Sequence, residues 1–351
     1  MRVKLPKVGM SVLVAAAGMA VPLAAQAPTV TVGGLAYAQY LYQLKDTANH
    51  VNNFDLTRVY LNVLGSFAGG VKTRVTSDIY RSADGSLAYR LKYAYAAWTP
   101  EKSALTFKLG QIHTPWLDWE ENLWDYRMQG PMALDRGGYL SSADLGAGID
   151  GMWKFEMVNA QIGVYNGENY NKAPGDQRKD VMGRVSVRIL GTDQAGRTGG
   201  LRLTGYAQYG KPTSGGRRER YIGMASYRSK VLTLAAEFAS TRDSTTDTNT
   251  ADTLITPIAR HTGRVISAFG VLRIPKSKIQ VIGRVDVTDP NTASTATNDR
   301  QTRYIGGIAY EHSGNLRVLA DLDHLVYQGG SPTPAAEATR SQALFQIQLT
   351  F

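Results

Sequence analysis

The sequence contains no cysteine, so it has neither a disulfide framework nor a cysteine to carry a lipid anchor. Beyond its N-terminal segment it also lacks any run of about 18 consecutive apolar residues, the length that a transmembrane helix needs. Sustained helical periodicity is missing as well. These absences exclude a disulfide-stapled scaffold and a helical membrane protein, although 351 residues suffice for one large domain or two ordinary ones.

Histidine is scarce and scattered along the chain. No spacing among the five histidines forms a catalytic triad or a metal site, and no glycine-rich loop has the context needed to cradle a phosphate. The sequence therefore predicts no catalytic residues, no metal site, no cofactor and no energy source. The histidines lie at His50, His113, His261, His312 and His324.

Basic residues outnumber acidic ones, with 39 Lys and Arg against 29 Asp and Glu and a net charge of +10. Such a balance suggests a nucleic-acid binder. The basic residues are nevertheless spread over nearly the whole chain without a cluster or a recognition motif, so we predict no nucleic-acid partner.

The N-terminal segment has the three parts of a secretory signal. "MRVKLPK" carries three positive charges, residues 8–21 are apolar, and "PLAAQA" supplies small residues for cleavage. We predict a signal peptide at residues 1–27, cut near 25 to 27, followed by a single domain at residues 28–351.

The rest of the chain consists of segments in which apolar and polar residues alternate. Their connections are alternately brief and long, and "GTDQAGRTGG" is an exception because it stands where a brief turn is expected. Short turns on one side and long loops on the other are typical of an outer-membrane barrel, so we predict a closed antiparallel transmembrane β-barrel of about 16 strands in the bacterial outer membrane. The alternating segments lie near residues 30–42, 54–67, 70–81, 87–99, 103–111, 147–157, 158–168, 180–190, 201–210, 221–229, 231–242, 261–273, 279–289, 300–313, 316–328 and 341–351.

The faces of single strands fit a barrel with lipid outside and water inside. In "LAYRLKYAYAAW" strict alternation puts Leu87, Tyr89, Leu91, Tyr93 and Tyr95 on the lipid side, and Arg90 and Lys92 on the water side. The last strand, "LFQIQLTF", ends in a phenylalanine and resembles the assembly signal of outer-membrane proteins. Aromatic residues near strand ends are predicted to join the interfacial girdles, namely Tyr37, Tyr40, Tyr42, Tyr60, Tyr80, Tyr95 and Trp98.

Four stretches in the first half of the domain carry a family resemblance. "FDLTRVYLNVLGSF", "LKYAYAAWTP", "FKLGQIHTPW" and "NLWDYRMQGPMALDRG" resemble the phosphate-selective O and P family of bacterial porins, with a basic second strand, a "G-Q-x-x-x-P" segment and an arginine-bearing loop. The second strand has one arginine, Arg58, where members of that family often have more. The resemblance implies a homotrimer and phosphate as a solute.

The longest connection, from about Ile112 to Gly146, follows the fifth strand. In sixteen-stranded porins this third external loop folds inward, and a loop of this length in a compact protein usually has a function. We expect its tryptophans to pack on the inner wall, while its acids face water and oppose the basic wall; the alternative is an external cap. The predicted constriction residues are Trp116, Asp118, Trp119, Glu120, Glu121, Trp124 and Asp125.

A row of cations on the second to fifth strands is the candidate anion-binding site. Alternation directs Arg58, Arg74, Arg90, Lys92 and Lys108 into the lumen, and the loop residues Arg127 and Arg136 are candidates to join them. Alternation also assigns Lys154 and Glu156 to the lumen. Such a row would concentrate anions, because arginine offers a planar fork to carboxylate and phosphate oxygens. The alternative is that these cations pair with lumen acids such as Asp78 and Asp150 and brace the wall.

Together these features predict a passive porin for small hydrophilic solutes, with a preference for anions that include phosphate or polyphosphate. Its expected partners are outer-membrane lipid, small anions and two further copies of the chain. The alternatives are a general non-selective diffusion porin, an outer-membrane barrel enzyme and a structural surface barrel.

Overall fold

The computed structural model describes residues 27–173, 175–212, 216–244, 261–294, 296 and 298–351. The predicted signal peptide lies, apart from Ala27, outside the described residues. Sixteen strands make up most of the fold: β1 Thr29–Gln43, β2 Asn52–Phe67, β3 Val71–Arg81, β4 Leu87–Trp98, β5 Leu105–His113, β6 Ala143–Trp153, β7 Val158–Tyr165, β8 Asp180–Leu190, β9 Gly200–Gly210, β10 Arg217–Arg228, β11 Leu232–Ser244, β12 His261–Arg273, β13 Ile279–Asp289, β14 Gln301–Ser313, β15 Leu316–Tyr327 and β16 Ser341–Thr350.

The strands form one closed antiparallel barrel, which confirms the predicted fold class. Each strand pairs with its neighbours in sequence, and β1 closes the sheet by pairing with β16 from Leu35 opposite Thr350 to Gln43 opposite Gln342. Closure leaves no free sheet edge, so the backbone polar groups of the wall are paired within the protein.

Most strands begin and end within a few residues of the predicted positions, but β6 is displaced toward the N-terminus. It ends at Trp153, and Lys154, Phe155 and Glu156 form a turn with φ values of 49°, 53° and 62°. A left-handed backbone cannot continue a strand. The assignment of Lys154 and Glu156 to the lumen wall was therefore wrong.

The outer face of the barrel is apolar. Phe54, Leu109 and Tyr89 expose 86%, 69% and 66% of their surface, and Phe345 and Leu349 of the last strand are also exposed. An apolar band of this kind around a closed barrel fits contact with lipid.

A β-bulge in β4 changes the direction of its side chains. Thr76 pairs with Tyr93 and Ser77 pairs with Leu91, so Lys92 has no partner in the register. Lys92 and Tyr93 are 3% and 6% exposed, whereas Leu91 is open to lipid. Because a bulge adds one residue and shifts the alternation, the prediction that Tyr93 and Tyr95 face lipid was wrong.

The helices lie in connections between strands. The long connection between β5 and β6 contains α1 (Leu117–Trp124) and α2 (Ala133–Arg136), with a 3-10 turn at Arg127–Gln129 between them. A third helix, α3 (Pro334–Thr339), precedes β16, and a 3-10 turn at Ala68–Gly70 joins β2 to β3. Among the described residues, no helix is both long enough and apolar enough to cross a membrane.

Candidate functional site

The connection Thr114–Ser142, called the inner segment below, lies inside the barrel. It passes around the inner wall and makes hydrogen bonds to one strand after another. These bonds are Arg184 of β8 to the Pro115 carbonyl (2.9 Å), Tyr126 to Gln280 of β13 (2.8 Å), Gln346 of β16 to the Met128 carbonyl (2.9 Å) and Arg284 of β13 to the Pro131 carbonyl (3.1 Å). Contacts so far apart in sequence fix the segment within the lumen.

Three tryptophans anchor the inner segment to the wall. Trp116, Trp119 and Trp124 are fully buried. Trp124 packs edge-on against Phe269 with ring centroids 5.4 Å apart, and the guanidinium of Arg184 lies 4.4 Å from the centre of the Trp119 ring. Aromatic packing and cation–π contacts of this kind are strongest when they exclude water, as they do here.

Helix α1 presents two different faces because residues three and four apart lie on one side of a helix. Asp118, Glu121 and Asp125 share the face that remains partly exposed. Glu120 lies four residues from both Trp116 and Trp124 and is fully buried with them. The expectation that Glu120 faces the water of the lumen was therefore wrong. Its four-residue spacing from Trp116 and Trp124 puts it on the buried face of the helix.

Asp118 is held by an arginine that the sequence reasoning did not select. Arg197 lies in the unusually long turn between β8 and β9, and its Nη2 is 2.7 Å from a carboxylate oxygen of Asp118 and 3.0 Å from the Asp118 carbonyl. Burial opposes ionisation of Asp118, but the ion pair with Arg197 outweighs it, so the pKa of Asp118 lies below its usual value. The long turn between β8 and β9 thus helps to hold the inner segment in place through Arg197.

Asp125 ends α1 in a left-handed conformation (φ 61°) and points away from the basic wall. Arg317 of β15 and Arg273 of β12 each approach its carboxylate to 3.5 Å. β12 lies across the barrel from β2–β5, and β15 is separated from β2 by β16 and β1. The expectation that Asp125 opposes the basic wall was therefore wrong, because wall arginines compensate its charge locally.

Three of the five predicted wall cations pair with acids. The buried carboxylate of Asp78 receives Arg90 at 2.8 Å and Arg58 at 3.6 Å, and Lys108 forms an ion pair with Asp150. The alternative that the wall cations pair with lumen acids and brace the wall is therefore correct for Arg58, Arg90 and Lys108. Two guanidinium groups share the single charge of Asp78, so this pairing still leaves excess positive charge.

The other two wall cations have only neutral partners. Arg74 donates to Thr76 (2.9 Å) and Asn62 (3.0 Å), and its Nη1 lies 3.1 Å from Nε2 of His113. Arginine only donates, so the His113 nitrogen accepts. Lys92 donates to the hydroxyl of Tyr60 at 2.6 Å. Neither cation forms a salt bridge with any carboxylate in the described part of the chain.

Tyrosines line the basic wall, although the sequence placed several of them in the membrane girdles. The Tyr60 hydroxyl accepts from both Arg58 and Lys92, and the guanidinium of Arg90 lies 3.8 Å from the Tyr80 ring centre and 4.8 Å from that of Tyr170. Tyr37 is buried on the inner face. The girdle assignment was wrong for Tyr37, Tyr60, Tyr80 and Tyr95, whereas Tyr40, Tyr42 and Trp98 stay on the outer face.

The two loop arginines have different positions. Arg127 donates to Glu121 at 2.7 Å and to Asp135 at 3.1 Å, and these acids raise its pKa against the opposing effect of burial. Arg136 lies 3.6 Å from Asp323 of β15, and burial together with the nearby Arg303 lowers its pKa to about 10. Arg136 therefore does not join the row on β2–β5, because its partner lies on β15, outside that row.

We call the space between the basic wall and the exposed face of the inner segment the constriction zone. Its cations outnumber its acids by seven to five. Its charged residues are Arg58, Arg74, Arg90, Lys92, Lys108, Arg127 and Arg197 against Asp78, Asp118, Glu121, Asp135 and Asp150. Within the described ranges, no group of three or more histidine, aspartate or glutamate side chains is arranged to hold a metal ion.

Solved structures with the same fold are bacterial outer-membrane proteins. Salmonella typhi OmpF in complex with daunomycin matches with a TM-score of 0.66 and 14% identity over 92% of this chain and 97% of its own. A mutant of the Rh. blastica porin matches with a TM-score of 0.53 and 12% identity over 92% of this chain and 100% of its own. A loop-deletion mutant of OmpT, an outer membrane protein of Vibrio cholerae, matches with a TM-score of 0.64 and 9% identity over 93% and 100%.

At these identities the likeness concerns the fold, and the barrel has the fold of the bacterial porins. The sequence matches no protein-family description and no curated protein. A sixteen-stranded barrel with a charged lumen and a segment folded inside it is a porin-like barrel in its fold.

Proposed function

We propose that the protein is a passive porin of the bacterial outer membrane that prefers small anions. The observation that carries the preference is the uncompensated charge of Arg74 and Lys92 on the wall of the constriction zone. A narrow lumen with low-dielectric walls concentrates ions of the opposite sign, and a row of donors offers them successive binding positions. Solutes move down their gradients, and the protein performs no catalysis.

Phosphate is the solute that the sequence motifs favour. The stretches around Arg58, Gln111 and Arg127 resemble the phosphate-selective O and P family, and arginine and lysine donors suit phosphate oxygens. By the same resemblance the protein forms a homotrimer in contact with outer-membrane lipid. Residues 1–27 direct export and are removed by a cut near 25 to 27.

A general diffusion porin is the second candidate. It is favoured by Asp118, Glu121 and Asp135, which lie on the partly exposed face of the inner segment. Acids on one side and cations on the other produce a transverse field that tolerates solutes of either sign.

Channel formation is tested with the purified protein in planar lipid bilayers. We expect stepwise conductance increments that grow in proportion to the KCl concentration, as a water-filled route requires. Addition of inorganic phosphate to a chloride solution should then reduce the chloride conductance. Complete absence of increments would refute the channel and favour a structural surface barrel, while conductance that phosphate leaves unchanged would favour the general porin.

A further inference from the structure

Two acidic side chains meet in the buried contact between the inner segment and the wall. Glu120 of α1 and Glu237 of β11 face each other, and they are 0% and 3% exposed. None of their four carboxyl oxygens accepts a hydrogen bond from a donor in the described part of the chain. Two adjoining carboxyl groups buried away from solvent cannot both stay charged, so a proton on the pair is the donor that this arrangement requires.

The surroundings of the pair do not supply a free counter-charge. Arg284 of β13 lies nearby, but its Nη2 is already 2.7 Å from the carboxylate of Asp286 on the same strand. Ser267 of β12 donates to that aspartate at 2.7 Å, and Trp116 of the inner segment lies beside Glu237. The described neighbourhood thus holds three carboxyl groups and one guanidinium, and the guanidinium is shared with Asp286.

We propose that Glu120 and Glu237 share a proton that fastens α1 to the wall, and that loss of this proton at alkaline pH releases α1 and widens the channel. The argument for the release of α1 uses only the buried pair of Glu120 and Glu237. The widening rests on the proposed porin function.

The direction of the pH effect follows from proton linkage. Burial and the neighbouring Glu237 raise the pKa of Glu120 well above its usual value in the docked segment. A released segment would return Glu120 to an ordinary pKa of about 4.3. The docked state therefore binds more protons, and docking is complete at low pH and weakens as pH rises through the raised value. Each proton lost changes the docking equilibrium by about tenfold per pH unit.

Tryptophan fluorescence reports the release directly. Three of the five tryptophans, Trp116, Trp119 and Trp124, lie buried in the inner segment, whereas Trp98 and Trp153 lie on the outer face. We expect the emission of the purified protein to shift to the red as pH rises from neutral toward the onset of tyrosine ionisation. Glu120→Gln and Glu237→Gln mimic the protonated pair and should remove the shift, while Glu101→Gln, in an exposed turn, should keep it.

Single-channel conductance over the same pH range completes the test. The wild-type protein should show larger and noisier increments at alkaline pH, and both glutamine variants should show constant increments. Folding of each variant is checked by its heat-dependent mobility in denaturing gels. A wild-type protein that forms channels with pH-independent fluorescence and conductance would overturn the proposal and leave the porin function intact. A fluorescence shift that the glutamine variants remove, without channels at any pH, would support the release of α1 and refute the porin function.

Discussion

The ammonium group of Lys92 donates a hydrogen bond of 2.6 Å to the hydroxyl of Tyr60 and forms no salt bridge with a carboxylate in the described chain. Alternation from Arg90 directs Lys92 into the lumen, and the bulge in β4 turns Tyr93 to the same side. A nearly buried cation with a neutral partner keeps its charge uncompensated. Together with Arg74 it accounts for the positive excess of the constriction zone.

Replacing Lys92 with methionine should reduce anion selectivity while preserving the packing of the side-chain stem. A unit charge about 4 Å from a passing ion contributes about 1 kcal/mol in water, so the chloride-to-potassium permeability ratio should fall about fivefold. Arg74→Met should act in the same direction. The zero-current potential in a KCl gradient measures both, and Lys102→Met, in an exposed turn, serves as the control. Equal potentials for the wild type and Lys92→Met would contradict this assignment.

Replacing Asp78 with asparagine should have the opposite effect on selectivity. The carboxylate of Asp78 is buried and compensates both Arg58 and Arg90, so its loss leaves two guanidinium groups unpaired on the wall. We expect a higher chloride-to-potassium permeability ratio and a barrel destabilised by about 2 kcal/mol. Reversal potentials and urea unfolding in detergent micelles measure the two effects. An anion selectivity equal to or below that of the wild type would contradict this prediction.

Truncation of Trp119 to alanine should loosen the inner segment. Its ring is fully buried against the wall, and removal of a buried aromatic side chain costs about 3 to 5 kcal/mol. We expect larger and noisier conductance increments because the segment no longer holds one position. Trp98→Ala, on the outer face, is the matched control and should keep the wild-type conductance. Identical single-channel records for both variants would contradict the anchoring role.

The ion pair between Asp118 and Arg197 should keep its contribution to the unfolding free energy down to low pH. The pKa of Asp118 is depressed in the folded state, so the stability that it contributes is present above the unfolded value of about 3.9 and is lost only as pH falls through the lower folded value. The difference in unfolding free energy between the wild type and Asp118→Asn should therefore stay constant from pH 7 to about pH 4. Urea unfolding at a series of pH values checks this. A difference that shrinks above pH 5 would show that Arg197 does not stabilise the charge.

The strands could be predicted from the sequence because alternation with period two is a local signal. β12 and β13 begin and end at the predicted residues, since both are regular and bounded by polar connections. Face assignments failed where one residue was added to a strand. The bulge at Lys92 reverses the alternation for Tyr93 and Tyr95, and no feature of "YRLKYAY" distinguishes it from an unbroken strand.

The candidate site was predictable only in part. Arg74 lies on a regular stretch, whereas Arg58 and Arg90 lie close to bulges at Thr57 and Lys92. The alternation of side chains along each strand nevertheless directed all three inward, as the structure has them. Glu120 was misplaced because helical spacing was not applied to a segment that was taken as irregular, although Trp116, Glu120 and Trp124 have the four-residue spacing of one helix face.

Other members of the site come from distant connections. Arg197 belongs to the turn between β8 and β9, and Tyr170 belongs to the connection between β7 and β8. Both reach the lumen through tertiary contacts. Only the unusual length of the turn at residues 191–199 gave any sign of this in the sequence.

The zero-current potential of the wild-type protein in a planar bilayer under a KCl gradient tests the central claim most directly. Because the cations of the constriction zone outnumber its acids, we expect a potential of the sign that marks chloride as the more permeant ion. A potential of the opposite sign would contradict this, and would mean that Asp118, Glu121 and Asp135 control the ions that pass.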